Sequence, residues 1–327
     1  MITLFACPKH FIGHIDVIQR NAIQSWSRLK PKPEIILLGN DKGVAEICKE
    51  LGLIHAAEID TNEYGTPLVN SVFQVGQARA SFPIVCYINS DIMLMSDFGQ
   101  AVKSVSTRMP TFLMIGQRWD IDIKEAWNFD SDNWEDDLRA LLAQNGKLHA
   151  QTAMDYFVFP RGMYTDIPPF AIGRLSWDNW LVWRARTENV PIVDATPAAK
   201  IAHQNHDYSP GMLRKLDERE SRVQSRGDNS APIVTFDGNM VALGPEAQRN
   251  YALCPDVKSL NIWAATWMID PQGVLKRWPL SIRFLYYQVR LILPLYWPAF
   301  GRLIHWMLKF KRFLLTDIRQ GLKPRYR

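Results

Sequence analysis

Short apolar runs alternate with amphipathic segments over the first 90 residues. Four runs rich in β-branched residues have the length of strands: Ile2–Ala6, Glu34–Leu38, Ile54–Ile59 and Ile84–Ile88. The segments between them repeat apolar positions with helical spacing: His14–Leu29, Val44–Leu51 and Leu68–Arg79. This β-α-β-α-β-α-β order predicts an α/β fold with a mostly parallel central sheet.

The fourth run stops at Asn89-Ser90-Asp91, after which apolar residues resume. Parallel sheets bind their ligands at the carboxyl ends of strands, so the pattern predicts a carboxylate at a ligand site. Asp91 is a hard oxygen donor suited to Mg²⁺ or Mn²⁺. Asn, Ser and Asp are also common turn formers, so the motif alone leaves a plain strand-end turn open.

Later segments contribute fewer candidates. Residues 117–150 show weak periodicity and are interpreted as an insertion over the site, while Asp155 opens a predicted strand and is interpreted as a turn acid. Asp178, in Trp177-Asp178-Asn179-Trp180, begins a helical run and is either an N-cap or a functional carboxylate. A polar loop at 200–208 contains a His pair, whereas His149 and the remaining histidines have no cluster around them and are predicted to be structural.

Composition sets the class of protein. The 327 residues are 47% hydrophobic and 22% charged, as in folded proteins, and the four cysteines show no paired spacing. That cysteine usage favours a reducing compartment without structural zinc. The first residues predict a strand and not a signal peptide. Neither G-x-G-x-x-G nor a P-loop occurs, so a bound nucleotide would have to be held by carboxylates and a metal.

Charge is distributed unevenly along the chain. Residues 276–327 carry 12 Lys or Arg and one acidic residue, interleaved with many aromatic residues, and no run of 18 apolar residues occurs there. This pattern favours a helix lying in a membrane interface. A helical hairpin packed on the core and a nucleic-acid arm are the alternatives, although no nucleic-acid partner is expected.

The order of these elements resembles the GT-A family of nucleotide-sugar glycosyltransferases over residues 1 to about 210. Asn89-Ser90-Asp91 stands where that family has a D-x-D-like motif, with Asn89 replacing the first carboxylate. The resemblance implies a GT-A-like three-layer α/β/α sandwich with a mostly parallel sheet. It implies a catalytic domain over 1–273, with a nucleotide-binding half at 1–116 and an acceptor half at 117–273. A basic, aromatic helical tail over 274–327 would follow.

The resemblance also implies roles for individual residues. Asp178 would be the catalytic base, and its neighbours Trp177 and Trp180 would stack on sugars unless they are core residues. Mn²⁺ or Mg²⁺ would be held by Asp91 with His203 or His206. The residues expected at the nucleotide-sugar donor, most simply a UDP-sugar, are Pro8, Asp41, Asn70, Asn89, Ser90, Asp91 and Arg174.

The function expected from this resemblance is metal-dependent transfer of a hexosyl or N-acetylhexosaminyl group to a glycan or lipid-linked acceptor, with inversion at the transferred sugar. The protein would lie on the cytoplasmic face of a membrane, bound through residues 276–327. A nucleotidyltransferase is one alternative, although Cys7-Pro8-Lys9-His10 is a poor version of its phosphate loop. A non-catalytic scaffold is the other, because Asn89 replaces an acid.

Overall fold

A nine-stranded sheet forms the centre of the protein in the computed structural model. The structure describes residues 1–152, 154–174, 176–206, 213–215, 233–234, 240–243, 245–253 and 261–277. In spatial order the strands are β16 (Leu275–Arg277), β15 (Trp267–Ile269), β10 (Ile192–Asp194), β6 (Leu113–Ile115), β9 (Tyr156–Pro160), β4 (Ile84–Ile88), β1 (Thr3–Ala6), β2 (Glu34–Leu38) and β3 (Ile54–Ala56). Only β9 and β16 run antiparallel to their neighbours, so the predicted mostly parallel sheet is confirmed.

Helices cover both faces of this sheet. They are α1 (Gly13–Ser27), α2 (Val44–Leu51), α3 (Val69–Arg79), α4 (Ser96–Ser106), α5 (Trp134–Asn145), α6 (Trp177–Thr187) and α7 (Pro245–Leu253). Side chains of β1 alternate between two cores: Leu4 packs with α1, α2 and α4, whereas Phe5 packs with α3 and α6. This alternation is the period of a strand buried on both faces. The predicted α/β/α sandwich is therefore confirmed.

A second, four-stranded sheet lies beside the carboxyl end of β4. Its strands, in spatial order, are β5 (Ile92–Met93), β11 (Ala202–Gln204), β7 (Trp119–Ile121) and β8 (Lys147–Leu148). The small sheet and α5 share a core that includes Ile121, Trp134 and Leu138. Strands β7 and β8 of this segment were not predicted, since strands of two and three residues are too short to show a period of two.

Two features concern the end of the described chain. Strand β16 pairs with β15 beyond the predicted domain boundary at residue 273, so the main sheet continues into the first residues of the predicted tail. A three-stranded antiparallel sheet of β12 (Leu213–Lys215), β14 (Met240–Leu243) and β13 (Ile233–Val234) precedes α7. The predicted helical tail from 278 onward lies outside the described residues. Within the described ranges, no helix combines the length and apolar character needed to cross a membrane.

Candidate metal and donor site

The Asn89-Ser90-Asp91 segment connects β4 to β5. It forms a turn, and it also brings Asp91 to a possible ligand site. Ile92 N donates to Asn89 O at 3.3 Å, which closes the turn. The following residues leave the main sheet and pair with β11, so Asp91 lies between the two sheets. The backbone oxygen of Asp91 accepts from the Gln204 side-chain amide at 3.1 Å, which fixes the segment against β11.

Three predicted metal ligands come together here. In the β5–β11 pairing His203 is the register partner of Ile92, so its ring lies next to Asp91. Asp91 Oδ2 is 3.7 Å from His203 Nε2 and 3.1 Å from His206 Nε2, and the ligand atoms all lie within 4.8 Å of one another. Two atoms bound to one ion at about 2.1 Å each lie about 3 to 4.2 Å apart. Both contacts therefore have the spacing of ligands on one ion.

The Asp91 carboxylate carries a negative charge that the protein only partly compensates. Burial raises its pKa, but the hydrogen bond with His206 and the charges of His203, His206 and Arg118 outweigh this and lower the pKa to about 2. Asp91 Oδ1 is buried and has no hydrogen-bond partner among the described residues. A buried, ionised oxygen without a partner is costly, so this donor set fits a bound cation.

Behind His203 lies a second carboxylate, that of Asp120. The parallel pairing of β7 with β11 makes these two residues register partners, and His203 Nδ1 is 3.1 Å from Asp120 Oδ1, off the ideal hydrogen-bond direction. Asp120 also contacts His149 Nδ1 at 2.5 Å and accepts from Arg118 Nε at 2.9 Å. Burial raises the pKa of Asp120, but its contacts with His203 and His149 and the charge of Arg118 hold it well below its ordinary value. The prediction that His149 has no partner cluster was wrong.

Arg118 links Asp120 to the first position of the motif. Its Nη1 donates to both carboxylate oxygens of Asp155, at 3.0 and 3.1 Å, and Asp155 Oδ1 accepts from Asn89 Nδ2 at 2.8 Å. Tyr87 OH donates to Asn89 Oδ1 at 3.0 Å, so both polar groups of the Asn89 side chain are bonded within the protein. Asp155 is thus more than a turn acid: it brings a carboxylate to the place where the motif lacks one, and Arg118 neutralises it.

Asp178 is the second residue of α6, and its side chain is half-buried. Burial, aided by the negative charge of Asp155, raises its pKa to about 6 although Asn179 N donates to its Oδ1. Ser176, not Asp178, is the residue at the N-cap position. A carboxyl with this pKa can exchange a proton near neutral pH.

The two tryptophans beside Asp178 belong to the core. Trp177 is 6% exposed and packs edge-on against Tyr87 and Phe73, while Trp180 is 5% exposed and packs on Phe170. The expectation that these indoles stack on a sugar was therefore wrong, and the core alternative is correct.

One side chain, that of Gln19, hydrogen-bonds both to the loop after β1 and to the Asn89-Ser90-Asp91 motif, two places where residues were predicted to bind the nucleotide sugar. Gln19, which is 2% exposed, accepts from Ser90 Oγ at 2.9 Å and from Lys9 N at 2.7 Å. Its amide in turn donates to Lys9 O at 2.9 Å. The loop that contains Pro8 and the Asn89-Ser90-Asp91 segment are therefore held against the same side chain.

The other predicted donor residues are more dispersed. Asp41, after β2, lies 3.3 Å from His10 Nδ1, and its charge adds to the burial that raises the pKa of Cys7 to about 12. Asn70, near the start of α3, has a buried Oδ1 with no partner among the described residues. Arg174 instead forms a 2.6 Å ion pair with Glu246 of α7, and no described contact joins it to Asp91.

Sequence reasoning missed Asp120, Arg118 and Gln19. A signal for the first existed: Asp120-Ile121-Asp122 has the carboxylate spacing that was sought at 89–91. Asp120 lies in β7, and Asp122, the residue that follows the strand, accepts from Asn205 at 2.7 Å. Nothing in the sequence marked Gln19, which looks like any polar residue of an amphipathic helix.

No protein-family model and no curated protein matches this sequence. Similar solved structures include S. aureus TarS (10% identity, 64% of this chain and 61% of that one, TM-score 0.42). A glucosyl-3-phosphoglycerate synthase from M. tuberculosis, solved with Mn²⁺, UDP and phosphoglyceric acid, gives 16% identity, 76% and 90% coverage and a TM-score of 0.42. A putative nucleotide-diphospho-sugar transferase from Desulfovibrio desulfuricans G20 is 11% identical, with 63% of this chain and 82% of that one covered and a TM-score of 0.40.

The expected resemblance to nucleotide-sugar transferases is thus found as a structural similarity. The match to TarS spans less than two thirds of that chain. TM-scores below 0.5 at 10 to 16% identity are too low to transfer an activity.

Proposed function

We propose that this protein is a metal-dependent glycosyltransferase that uses a nucleotide-sugar donor. The observation that carries the proposal is the grouping of Asp91, His203 and His206 at the carboxyl end of a central strand, with Asp91 Oδ1 buried and ionised. Ligands of α/β sheets bind at that end of the strands. A divalent cation there would neutralise the charge of a departing diphosphate.

We infer that the bound ion is Mn²⁺ and not Mg²⁺. The candidate ligands are two imidazoles and one carboxylate, because Asn89 replaces a second acid and Asp155 is bound to Arg118. Mg²⁺ prefers oxygen ligands and a nearly ideal octahedron, so a set rich in nitrogen favours a transition-metal ion. UDP-sugars are the donor class proposed, with Pro8, Asp41, Asn70 and Ser90 as its candidate contacts.

Asp178 is the proposed general base. Its raised pKa of about 6 leaves it ionised at neutral pH yet able to accept a proton from an acceptor hydroxyl. The negative charge of Asp155, which accepts a hydrogen bond from Asn89, contributes to this raised pKa. A general base that takes the proton of the attacking acceptor hydroxyl would suit inversion by single displacement. Arg174 remains a weaker candidate for the donor, since Glu246 already occupies its guanidinium.

Donor turnover tests the proposal. The full chain is incubated with a panel of nucleotide sugars and Mn²⁺, with EDTA, and with Mn²⁺ restored, and nucleoside diphosphate release is measured. We expect metal-dependent release that Asp91→Ala abolishes, while Asp132→Ala, at an exposed aspartate, retains it. Pyrophosphate release from nucleoside triphosphates would instead indicate a nucleotidyltransferase. No turnover of any donor would leave the scaffold alternative and sink the enzyme proposal.

Membrane association through residues 276–327 is a separate proposal, supported by the 12 basic residues and the aromatic content of that segment. The acceptor would then be a glycan or a lipid-linked glycan. Flotation with anionic vesicles compares the full chain with a chain that ends at Arg277, a cut that keeps β16 in the sheet. Equal flotation of the two chains would refute the role of the tail.

A further inference from the structure

His203 lies between two carboxylates. Its Nε2 is 3.7 Å from Asp91 Oδ2, and its Nδ1 is 3.1 Å from Asp120 Oδ1. The side chain is 2% exposed, so water does not compete strongly for either nitrogen. A neutral imidazole has one N–H and one lone pair, and the neighbour of one nitrogen decides which form the other takes.

We propose that Asp120 is a positioning residue for the metal centre: it holds the His203 proton on Nδ1 and so leaves the Nε2 lone pair for the ion. The inference rests on the metal site proposed above. Histidines that bind metals commonly donate their second N–H to a carboxylate, which fixes the ring and raises its basicity. Asp120 would not touch the ion or the substrate.

The fold holds Asp120 in place for this role. Residues 120 and 203 are register partners in adjacent parallel strands, so their separation is set by the sheet and not by a flexible loop. Arg118 Nε, at 2.9 Å, and His149 Nδ1, at 2.5 Å, occupy further lone pairs of the carboxylate. Arg118 also binds Asp155, and Asp155 accepts a hydrogen bond from Asn89. The same hydrogen-bond network therefore includes the first residue of the motif.

The alternative is a buried ion pair that only stabilises the small sheet. Both roles predict that removing the Asp120 carboxylate costs stability. Only the positioning role predicts weaker binding of the ion in a protein that is still folded, and a defined His203 tautomer before any metal is added.

Mn²⁺ binding separates the two roles. Affinity is measured on the full chain by calorimetry and by the EPR signal of free Mn²⁺, with Mn²⁺ alone and again with saturating UDP. Asp120→Asn keeps the shape but can present an amide N–H to Nδ1, which would shift the His203 proton to Nε2. We expect about 10- to 100-fold weaker Mn²⁺ binding.

Asp122→Asn is the matched control, because Asp122 directly follows β7, two residues after Asp120, but bonds Asn205 and not a metal ligand. Its Mn²⁺ affinity should stay within about twofold of the wild type. Equal Mn²⁺ affinity in folded Asp120→Asn and Asp122→Asn would overturn the positioning role while leaving the metal site standing. Absence of Mn²⁺ binding to the wild type would overturn the metal site and this inference with it.

A measurement on the wild type does not depend on the Asp120 variant. Nitrogen-15 NMR of the histidine rings, with His203 assigned through His203→Gln, reports which nitrogen carries the proton in metal-free protein. We expect the proton on Nδ1. A wild-type ring with its proton on Nε2 would contradict the inference whatever the variants do.

Discussion

Asp178 provides a prediction in which function and stability oppose each other. Its carboxyl has a pKa of about 6 in the folded protein, against about 3.9 in an unfolded chain. Between these values the folded state binds more protons, so its stability falls as pH rises from about 4 to about 6. A difference of about two pKa units corresponds to about 3 kcal/mol. Because the side chain is only half-buried, solvent screening reduces this to about 1–3 kcal/mol.

Asp178→Asn removes the ionisation and keeps the shape. We expect the variant to be about 1–3 kcal/mol more stable than the wild type at pH 7.5 and less than about 0.5 kcal/mol more stable at pH 4, where the folded wild type has a neutral carboxyl at this position. Urea unfolding followed by circular dichroism at the two pH values measures the difference. Asp132→Asn, at an exposed site, serves as the control and should shift stability by less than about 0.5 kcal/mol. A variant that is less stable than the wild type at pH 7.5 would refute the reasoning.

Three further predictions follow from the same contacts. Turnover by the wild type should fall about tenfold per pH unit below about pH 6, as Asp178 takes up a proton, and a profile flat from pH 7 to 5 would argue against this base. Trp177→Ala should lower the free energy of unfolding by about 3–5 kcal/mol, and Trp183→Ala, at a half-buried site, by clearly less in the same urea titration. Arg118→Met leaves buried carboxylates without their cation and should cost about 3–5 kcal/mol, whereas Arg139→Met, 33% exposed, should cost about 1 kcal/mol; equal thermal shifts would contradict the buried role.

The main sheet could be predicted because its strands bury both faces. The runs Ile35–Leu38 and Ile84–Ile88 are apolar throughout, and the structure has strands over Glu34–Leu38 and Ile84–Ile88. The small sheet could not be predicted in this way. Strands β5 and β8 contain two residues each, and what stabilises them is pairing with residues far along the chain.

Part of the site could be predicted because Asp91 directly follows a strand that the sequence shows clearly. The His pair in a later polar segment was a reasonable partner for this carboxylate. The contact of Asp120 with His203 depends on strand register across 83 residues, which local patterns do not encode. The direction of Trp177 is likewise set by packing against Tyr87 and Phe73, so adjacency to Asp178 said nothing about sugar stacking.

The central claim is that Asp91, His203 and His206 bind the divalent ion of a nucleotide-sugar transferase. Anomalous diffraction at the manganese edge, from crystals grown with Mn²⁺ and UDP, tests it most directly. We predict one strong peak within about 2.5 Å of Asp91 Oδ1 or Oδ2 and of both Nε2 atoms, with the diphosphate of UDP on its open side. Bound UDP with no manganese at these three residues, or manganese held elsewhere in the chain, would contradict the claim.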